Sequence, residues 1–182
     1  MCDQDIIETL KHQIGNLTDR LEIIELEGKY GPNYDAKNGE QWAALFTDDG
    51  VYQGRHLQGG TETNYIQGKE NLERFCNSGP NSGIHYLSIP QISINGDLAS
   101  SKIPFQFQGF RVDFYGNAIH TEVNGYYDVL YRRTNQGWKI QNRITVNFNS
   151  SNTTTHGYDG SDFQFDSENP KIDENTPYRD IR

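Results

Sequence analysis

The second half of the chain alternates apolar and polar residues over four long segments, which is the two-residue period of a β-strand. The segments run from Ile84 to Ile94, Leu98 to Phe114, Ala118 to Arg133 and Trp138 to Phe148. Short turn sequences separate them, namely Asn95-Gly96, Gly116-Asn117 and Asn135-Gln136-Gly137. Consecutive hairpins predict an antiparallel sheet, and strands of this length have to twist and curl.

Helical patterns precede these strands. Apolar residues recur in steps of three and four at Ile7, Leu10, Ile14, Leu17, Leu21 and Ile24. The pattern fits an amphipathic helix lying on the sheet or a short coiled coil, and fewer than three heptads favour the helix on the sheet. Gly31-Pro32 is expected to stop or kink this helix before Tyr34-Asp35. Shorter helices are predicted over residues 40–46 and 69–77.

Helices followed by a long-stranded meander predict the α+β class. The expected architecture is a cone, with a curved antiparallel sheet wrapped around the N-terminal helices. At 182 residues the chain is close to the usual size of one domain, which we place at residues 1–150. Residues 151–182 hold seven acidic and three basic side chains and form a polar tail, which we expect to be partly docked over the pocket or a dimer partner.

Charge and composition exclude several classes of function. The formal net charge is -9, with 16 Lys and Arg against 25 Asp and Glu, which is the wrong sign for binding nucleic acid. Neither Cys2 nor Cys76 stands in a cluster with metal-ligand spacing, so no metal site is predicted. No apolar run is long enough to span a membrane, and the acidic start is unlike a signal peptide. A cytoplasmic protein that does not bind membranes is expected.

Five polar residues fall where an apolar surface is expected, namely Asp35, His85, Lys102, Tyr127 and Arg143. The sequence around Asp35 favours a helix cap or turn. His85 lies on a strand among apolar neighbours of the same face, where a core histidine and a catalytic base are equally plausible. Arg143 offers either a fixed cation for a ligand or a partner for a structural acid.

Ordered motifs over residues 17–148 carry a resemblance to a known group of proteins. They are Tyr34-Asp35 at a helix end, the Trp-x-x-Leu-Phe-x-x-Asp pattern of Trp42 to Asp49, Tyr52, Gly68-Lys69-Glu70, His85-Tyr86, and Tyr131 through Trp138. Together they resemble the SnoaL-like and scytalone dehydratase families, which have the cone-shaped NTF2-like, or cystatin-like, fold. The resemblance implies one pocket for a hydrophobic small molecule inside the cone.

In scytalone dehydratase and the related hexachlorocyclohexane dehydrochlorinase, a His removes a carbon-bound proton and an Asp orients its imidazole. Asp35 and His85 occupy the matching places. The resemblance further implies that substrate-binding side chains line the pocket, at Tyr30, Tyr34, Tyr52, Lys102, Tyr127 and Arg143. Lys102 stands at or near the position of a second pocket histidine of scytalone dehydratase, so the same substrate is not expected. Neither a metal nor a cofactor is implied.

The sequence therefore predicts an enzyme that removes a proton next to a carbonyl or leaving group, in dehydration, isomerisation or cyclisation of a hydrophobic cyclic, polyketide or terpenoid-type metabolite. An alternative is a non-catalytic binding or assembly module of the same fold, such as a dioxygenase small subunit. An epoxide hydrolase is a third possibility, which the single clear pocket acid disfavours. A homodimer or homotrimer is expected, and Ile103, Phe105 and Phe107 are candidates for an exposed oligomer interface.

Overall fold

The computed structural model describes residues 3–56, 64–78, 82–112 and 115–155. It contains three helices, which are α1 (Asp3–Asp35), α2 (Gly39–Ala43) and α3 (Lys69–Ser78). The strands are β1 (Phe46–His56), β2 (Asn64–Gln67), β3 (Ser82–Leu87), β4 (Gln91–Asn95), β5 (Leu98–Val112), β6 (Ala118–Thr134) and β7 (Gly137–Thr155). The α+β order predicted from the sequence is confirmed. The predicted tail beyond residue 155, and with it the predicted lid, lies outside the described residues.

The strands form one curved, open sheet in the order β2-β1-β7-β6-β5-β3, with β4 also paired to β5. All pairings are antiparallel except that of β1 with β7, which is parallel. The prediction of a purely antiparallel sheet is therefore wrong at one pairing. A tight turn fixes the direction of hairpin strands, whereas β1 and β7 are joined through most of the chain and no local turn sets their direction.

The long hairpins match the sequence prediction closely. Gly96 and Gly137 have φ values of 60° and 91°, the left-handed conformation that their tight turns require. The predicted strand from Ile84 to Ile94 is two strands, separated by residues 88–90, which are not part of the sheet. Pro90 has no N–H to donate to a neighbouring strand, which explains the interruption. β3 and β4 thus pair with successive stretches of the same edge of β5.

Helix α1 continues through Pro32 to Asp35, so the expected break before Tyr34-Asp35 is wrong. Pro32 lies in the last turn, where its missing N–H removes a single intrahelical bond. Beyond it the helical bonding pattern holds, since the N–H of Ala36 donates to the carbonyl of Pro32 at 3.1 Å. Asp35 consequently ends a rigid helix.

The face of α1 that packs on the sheet differs from the predicted one. Ile23, Leu26 and Tyr30 are buried against the sheet. The six residues of the three-and-four repeat are 40 to 62% exposed, so the expectation that this stripe lies on the sheet is wrong. The helix has two apolar faces, and the described part of the domain covers only one of them.

The hydrophobic core lies between the concave face of the sheet and the helices, and large rings dominate it. Trp42, Phe46 and Tyr131 are among its fully buried side chains. Ile103 and Phe105 are buried in this core and Phe107 packs against it, so the expected exposed interface at these residues is wrong. Apolar and polar residues alternate along β5 as predicted, but the apolar side chains point into the core. None of the helices in the described part of the chain is both long and apolar enough to cross a membrane.

Candidate active site

Asp35 and His85 form a directly bonded pair inside the cone. The Asp35 Oδ1 atom lies 2.6 Å from His85 Nδ1, and the main-chain N–H of His85 donates to Asp35 Oδ2 at 2.8 Å. Both oxygens of the carboxylate are therefore committed to one residue, which fixes its orientation as well as that of the imidazole. The two side chains are 17% and 8% exposed. A carboxylate on Nδ1 favours the tautomer with its proton there, which leaves Nε2 as a hydrogen-bond acceptor or base.

The two residues meet because the end of α1 approaches β3 very closely. A methyl group added at Gly31 would come within 3.1 Å of His85 Cβ, so glycine is what lets the last helical turn lie on this strand. Within β3 the side chains alternate, and Ile84 and Tyr86 are exposed while His85 points inward. The helix end supplies the acid and the strand supplies the imidazole.

Aromatic rings surround the imidazole. Its centroid lies 4.7 Å from that of Phe107 and 5.3 Å from that of Tyr34, with Tyr30 edge-on at 6.2 Å. These rings exclude water from the flanks of the histidine and restrict the directions from which a ligand reaches it.

The imidazole faces a cavity of about 170 Å³. Rings and aliphatic groups supply most of its wall, and hydroxyl, amide and amine groups supply the rest. The lining side chains are Tyr30, Tyr34, Lys37, Tyr52, His85, Phe105, Phe107, Val123, Tyr127, Thr145 and Asn147. An apolar cavity of roughly 150 Å³ takes up benzene in a well-studied case, so the space suits a ligand about the size of one ring.

Tyrosine hydroxyls are the principal hydrogen-bonding groups of the cavity. Burial raises the pKa of Tyr30, Tyr34 and Tyr127, so these phenols stay protonated at neutral pH. Their hydroxyls have no partner within the described part of the chain, so they are available as donors. Tyr52 is different, because its hydroxyl accepts a hydrogen bond from Thr145 at 3.0 Å.

Lys37 adds a cation to the cavity wall that the sequence analysis missed. It follows the end of α1 with a φ of 55°, a left-handed conformation that a residue with a side chain adopts at some cost. Its Nζ lies 5.2 Å from the centroid of the Tyr34 ring, and burial lowers its pKa. A lysine two residues after a candidate acid looks like a loop residue in sequence, and only the helix ending at Asp35 turns it toward the cavity.

Arg143 is fully buried and engaged by an acid. Its Nη1 donates to both carboxylate oxygens of Glu27, at 3.0 and 2.7 Å. The guanidinium lies between the rings of Tyr30 and Tyr127, at 3.5 and 3.8 Å from their centroids. Burial acts to lower the pKa of Arg143, but the Glu27 carboxylate and the neighbouring tyrosines together offset it, so the pKa is raised above its usual value. Arg143 thus lies behind the cavity wall as the partner of a structural acid, which is one of the two roles that the sequence left open.

Lys102 lies on the opposite face of the sheet. Its Nζ is 4.1 Å from the centroid of the Tyr126 ring, and its strand neighbours Ser101 and Ile103 take the inward positions. It borders a shallow depression of about 390 Å³ with Asp128 across the strand pair. That depression is larger than the cavity at His85, but its lining includes no bonded acid–base pair, whereas the bonded Asp35–His85 pair lies at the smaller cavity. The structure therefore corrects the expected position of Lys102.

Other parts of the wall also escaped sequence analysis. Phe105, Phe107 and Val123 form its apolar side, and Thr145 and Asn147 lie on β7, two and four residues after Arg143. The Oδ1 atom of Asn147 is buried without a hydrogen-bond partner among the described residues, so it is open to a donor. The period-two alternation that places Arg143 on the inward face is the signal that points to Thr145 as well.

Within residues 3–56, 64–78, 82–112 and 115–155, no group of three or more His, Cys, Asp or Glu side chains is arranged to hold a metal ion. Cys76 is buried, and burial raises the pKa of its thiol to about 11.

Comparison with solved structures shows the same fold in several proteins. A hexachlorocyclohexane dehydrochlorinase of Novosphingobium barchaimii superposes with a TM-score of 0.62 at 17% identity, over 80% of this chain and 95% of that one. A proposed scytalone dehydratase of Novosphingobium aromaticivorans gives 0.61 at 15% identity, over 75% and 88%. The beta subunit of a proposed aromatic-ring-hydroxylating dioxygenase from the same species gives 0.60 at 18% identity, over 75% and 92%.

Sequence comparison gives the family. An uncharacterized protein of Mycobacterium tuberculosis is 28% identical over 135 residues, which are 72% of this chain and 86% of the relative. Residues 15–144, which include both members of the Asp35–His85 pair, match the model of the SnoaL-like domain. The fold and this match agree, and the chain belongs to the SnoaL-like family within the NTF2-like superfamily.

Proposed function

We propose that this chain is a lyase or isomerase in which His85 removes a carbon-bound proton from a compact cyclic substrate and Asp35 positions the imidazole. The observation that carries the proposal is the 2.6 Å contact between Asp35 Oδ1 and His85 Nδ1 at the wall of an aromatic cavity. The proposed chemistry needs only side chains of the chain itself.

The steps follow from the tautomer that Asp35 favours. His85 Nε2 takes a proton from the carbon next to a carbonyl, and the electron pair of the broken C–H bond moves toward the carbonyl oxygen as an enolate. The enolate then expels a leaving group from the next carbon, which completes an elimination. Where the enolate is conjugated with a C=C bond, it can instead take the proton back from the imidazolium at the far carbon, which completes an isomerisation. In a dehydration the imidazolium returns its proton to the departing hydroxide, which leaves as water. Asp35 stabilises the imidazolium between the two transfers.

Protonated tyrosines are suited to the charge that develops on the substrate. The phenols of Tyr30, Tyr34 and Tyr127 are donors at neutral pH in a site that rings shield from water, where a hydrogen bond to an oxyanion is strong. The ammonium of Lys37 adds positive charge at the same wall. The cavity of about 170 Å³ favours a substrate with one ring in contact with His85.

Two of the proteins with this fold are named for related chemistry. A dehydrochlorinase removes the elements of hydrogen chloride and a dehydratase removes water. Both reactions are eliminations in which a hydrogen is removed from carbon. Their names support an elimination as the first reaction to test. The substrate stays within the class of compact cyclic compounds, because pocket side chains rather than the fold select it.

Proton removal can be measured before the natural substrate is identified. In D2O, we expect the protein to catalyse the exchange of the hydrogen next to the carbonyl of suitable cyclic ketones for deuterium. Proton NMR measures this exchange as loss of the corresponding signal. His85→Gln should lower the exchange rate by about 100-fold to 10,000-fold, the usual contribution of a positioned base. The matched control is His120→Gln, because His120 lies on the sheet away from this cavity. Full exchange in His85→Gln would falsify the proposed role of His85.

The role of Asp35 has its own readout. Nitrogen chemical shifts of the His85 ring should show the proton on Nδ1 in the wild type and a mixture of tautomers in Asp35→Asn. The reason is that a carboxylate can only accept a hydrogen bond from Nδ1, whereas an amide can also donate one to it. The exchange rate should fall in Asp35→Asn as well, by less than in His85→Gln. An unchanged tautomer together with an unchanged rate contradicts the pairing.

A second candidate is a non-catalytic subunit, which is favoured by the likeness to the beta subunit of a dioxygenase at a TM-score of 0.60. Purification from the native host distinguishes the two. A large iron-containing protein that stays bound in stoichiometric amount, together with an absence of exchange, supports the subunit. The cavity supports an epoxide hydrolase less, because its lining in the described residues includes no carboxylate and Asp35 lies behind His85.

A further inference from the structure

The second apolar face of α1 has no partner within the described part of the chain. We call it the α1 stripe, and it consists of Ile7, Leu10, Ile14, Leu17, Leu21 and Ile24. These side chains are 40 to 62% exposed, and at a rise of 1.5 Å per residue they line about 27 Å of one helix. A contiguous aliphatic surface of this length marks an interaction site.

The body of the domain does not support the start of α1. Every residue from 3 to 15 is exposed, and the packing of the helix on the sheet begins around Asn16 and Asp19. A free helical segment of about 13 residues is marginal in water, and Gly15 weakens it further. The start of α1 therefore needs a partner to remain a helix.

The spacing specifies the kind of partner. Steps of three and four repeated from Ile7 to Ile24 are those of a left-handed coiled coil, in which Ile7, Ile14 and Leu21 take the a positions. The face that packs on the sheet is a different one, so one helix can serve its own core and a partner helix together. A partner with the same repeat is required to fill the holes between these side chains, and a second copy of this chain carries it.

We propose that the α1 stripe pairs with the α1 stripe of a second copy in a parallel two-stranded coiled coil. β-branched Ile at a positions, here Ile7 and Ile14, with Leu at the d positions Leu10 and Leu17 favours two parallel strands. In this register the e position Glu25 of the other copy has the g position Arg20 as its counterpart of opposite charge, although Nε and Nη1 of Arg20 donate to Asn16 Oδ1 and to the Ile92 carbonyl of their own chain. No g and e positions of like charge face each other.

The C-terminal segment is a poorer occupant. Residues 151–182 hold seven acidic side chains and no comparable three-and-four apolar repeat. The proposal is independent of the chemistry assigned to His85, because the stripe and the cavity share no residue.

Sedimentation equilibrium of the full chain at 5 to 200 μM tests the pairing. We expect a dimer in the wild type and a monomer in Ile14→Glu/Leu17→Glu, with the dissociation constant raised at least tenfold. The matched control is Thr9→Glu/His12→Glu, which adds the same charges to the same exposed helix away from the stripe. A monomeric wild type, a dimer that survives in the stripe variant, or equal dissociation of the control overturns the proposal.

Disulfide trapping tests the orientation. In a Cys2→Ser background, Leu17→Cys should form a covalent dimer under mild oxidation, because d positions of parallel helices face each other within disulfide range. Thr9→Cys, outside the stripe, should not. If Leu17→Cys alone fails to link, and Leu10→Cys/Leu21→Cys links instead, the helices are antiparallel and the proposed arrangement is wrong.

Discussion

Glu27 and Arg143 form an ion pair in the core, where both side chains are almost completely buried. Tyr131 also donates to Glu27 Oε1, at 2.7 Å, and its hydroxyl oxygen accepts a hydrogen bond from Ser101. One carboxylate therefore binds an arginine and a tyrosine directly behind the cavity, while Nε and Nη2 of Arg143 have no hydrogen-bond partner among the described residues. The pair holds the rings of the cavity wall in place from the side that no ligand reaches.

Removal of Glu27 should strongly destabilise the protein. Because an arginine guanidinium does not lose its proton in proteins, Arg143 would remain charged in the core without a partner. We expect Glu27→Ala to lower the free energy of unfolding by about 3 to 5 kcal/mol in urea denaturation. The double variant Glu27→Met/Arg143→Met should lose less than the sum of the single variants, because it leaves no unpaired charge. A strictly additive double variant contradicts this account.

The secondary-structure elements show where sequence patterns were sufficient. The period of two and the turn glycines predict β5 and β6 nearly to their ends, because alternation and hairpin turns are local properties. The start of β7 is predicted equally well, but the strand continues seven residues beyond its predicted end at Phe148, into the segment that was assigned to the tail. The sequence also placed Asp35 at a helix end and His85 on an inward strand face, and the structure brings them together. The family resemblance predicted that contact, whereas the spacing of 50 residues alone did not.

Other features depend on contacts that the sequence does not state. The parallel pairing of β1 with β7 and the bond between Glu27 and Arg143 join residues far apart in the chain, with no local signal. The α1 stripe is a clear helical pattern, but a helix with two apolar faces offers two ways to lie on a sheet. The polar anchor of Asp19, which bonds to Arg133 and Trp138, lies on the face that turns inward.

That anchor makes the attachment of α1 dependent on pH. Asp19 accepts hydrogen bonds from both terminal nitrogens of Arg133, at 2.6 and 2.7 Å, and from Trp138 Nε1 at 3.1 Å. The hydrogen bond from Arg133 lowers the pKa of Asp19 below its usual value. A carboxyl with a lowered folded-state pKa stabilises the fold above its unfolded pKa of about 3.9, and that stability is lost as the pH falls through the folded value.

Asp19→Asn should therefore be less stable than the wild type at pH 7, by about 1 kcal/mol once solvent access to Arg133 is considered. The difference should shrink as the pH is lowered from 5 toward 2, measured by urea denaturation at several pH values. Asp97→Asn is the matched control, because the exposed Asp97 also bonds Arg133, at 3.0 Å, without holding the helix. A difference that stays constant with pH contradicts the role of the Asp19 charge.

The whole molecule divides into a body that holds the cavity and a helix segment that projects from it. The match to the SnoaL-like domain begins at residue 15, close to where α1 first meets the sheet. Ile23 is the first fully buried core residue of the helix, and every cavity residue follows it in the chain. The stability of the body should thus be separable from the association of two copies.

A chain that lacks residues 1–15 should fold into the same body and remain a monomer. Its near-ultraviolet circular dichroism, which reports on the buried Trp42 and Trp138, should match that of the full chain, because their contacts lie within the body. The melting temperature of the full chain should rise with protein concentration, since association stabilises the folded state by mass action, whereas that of the shortened chain should not. Differential scanning calorimetry at 5 and 200 μM measures both. A shortened chain that fails to fold would show that residues 3–15 support the body, and the division of the molecule drawn from their exposure would be wrong.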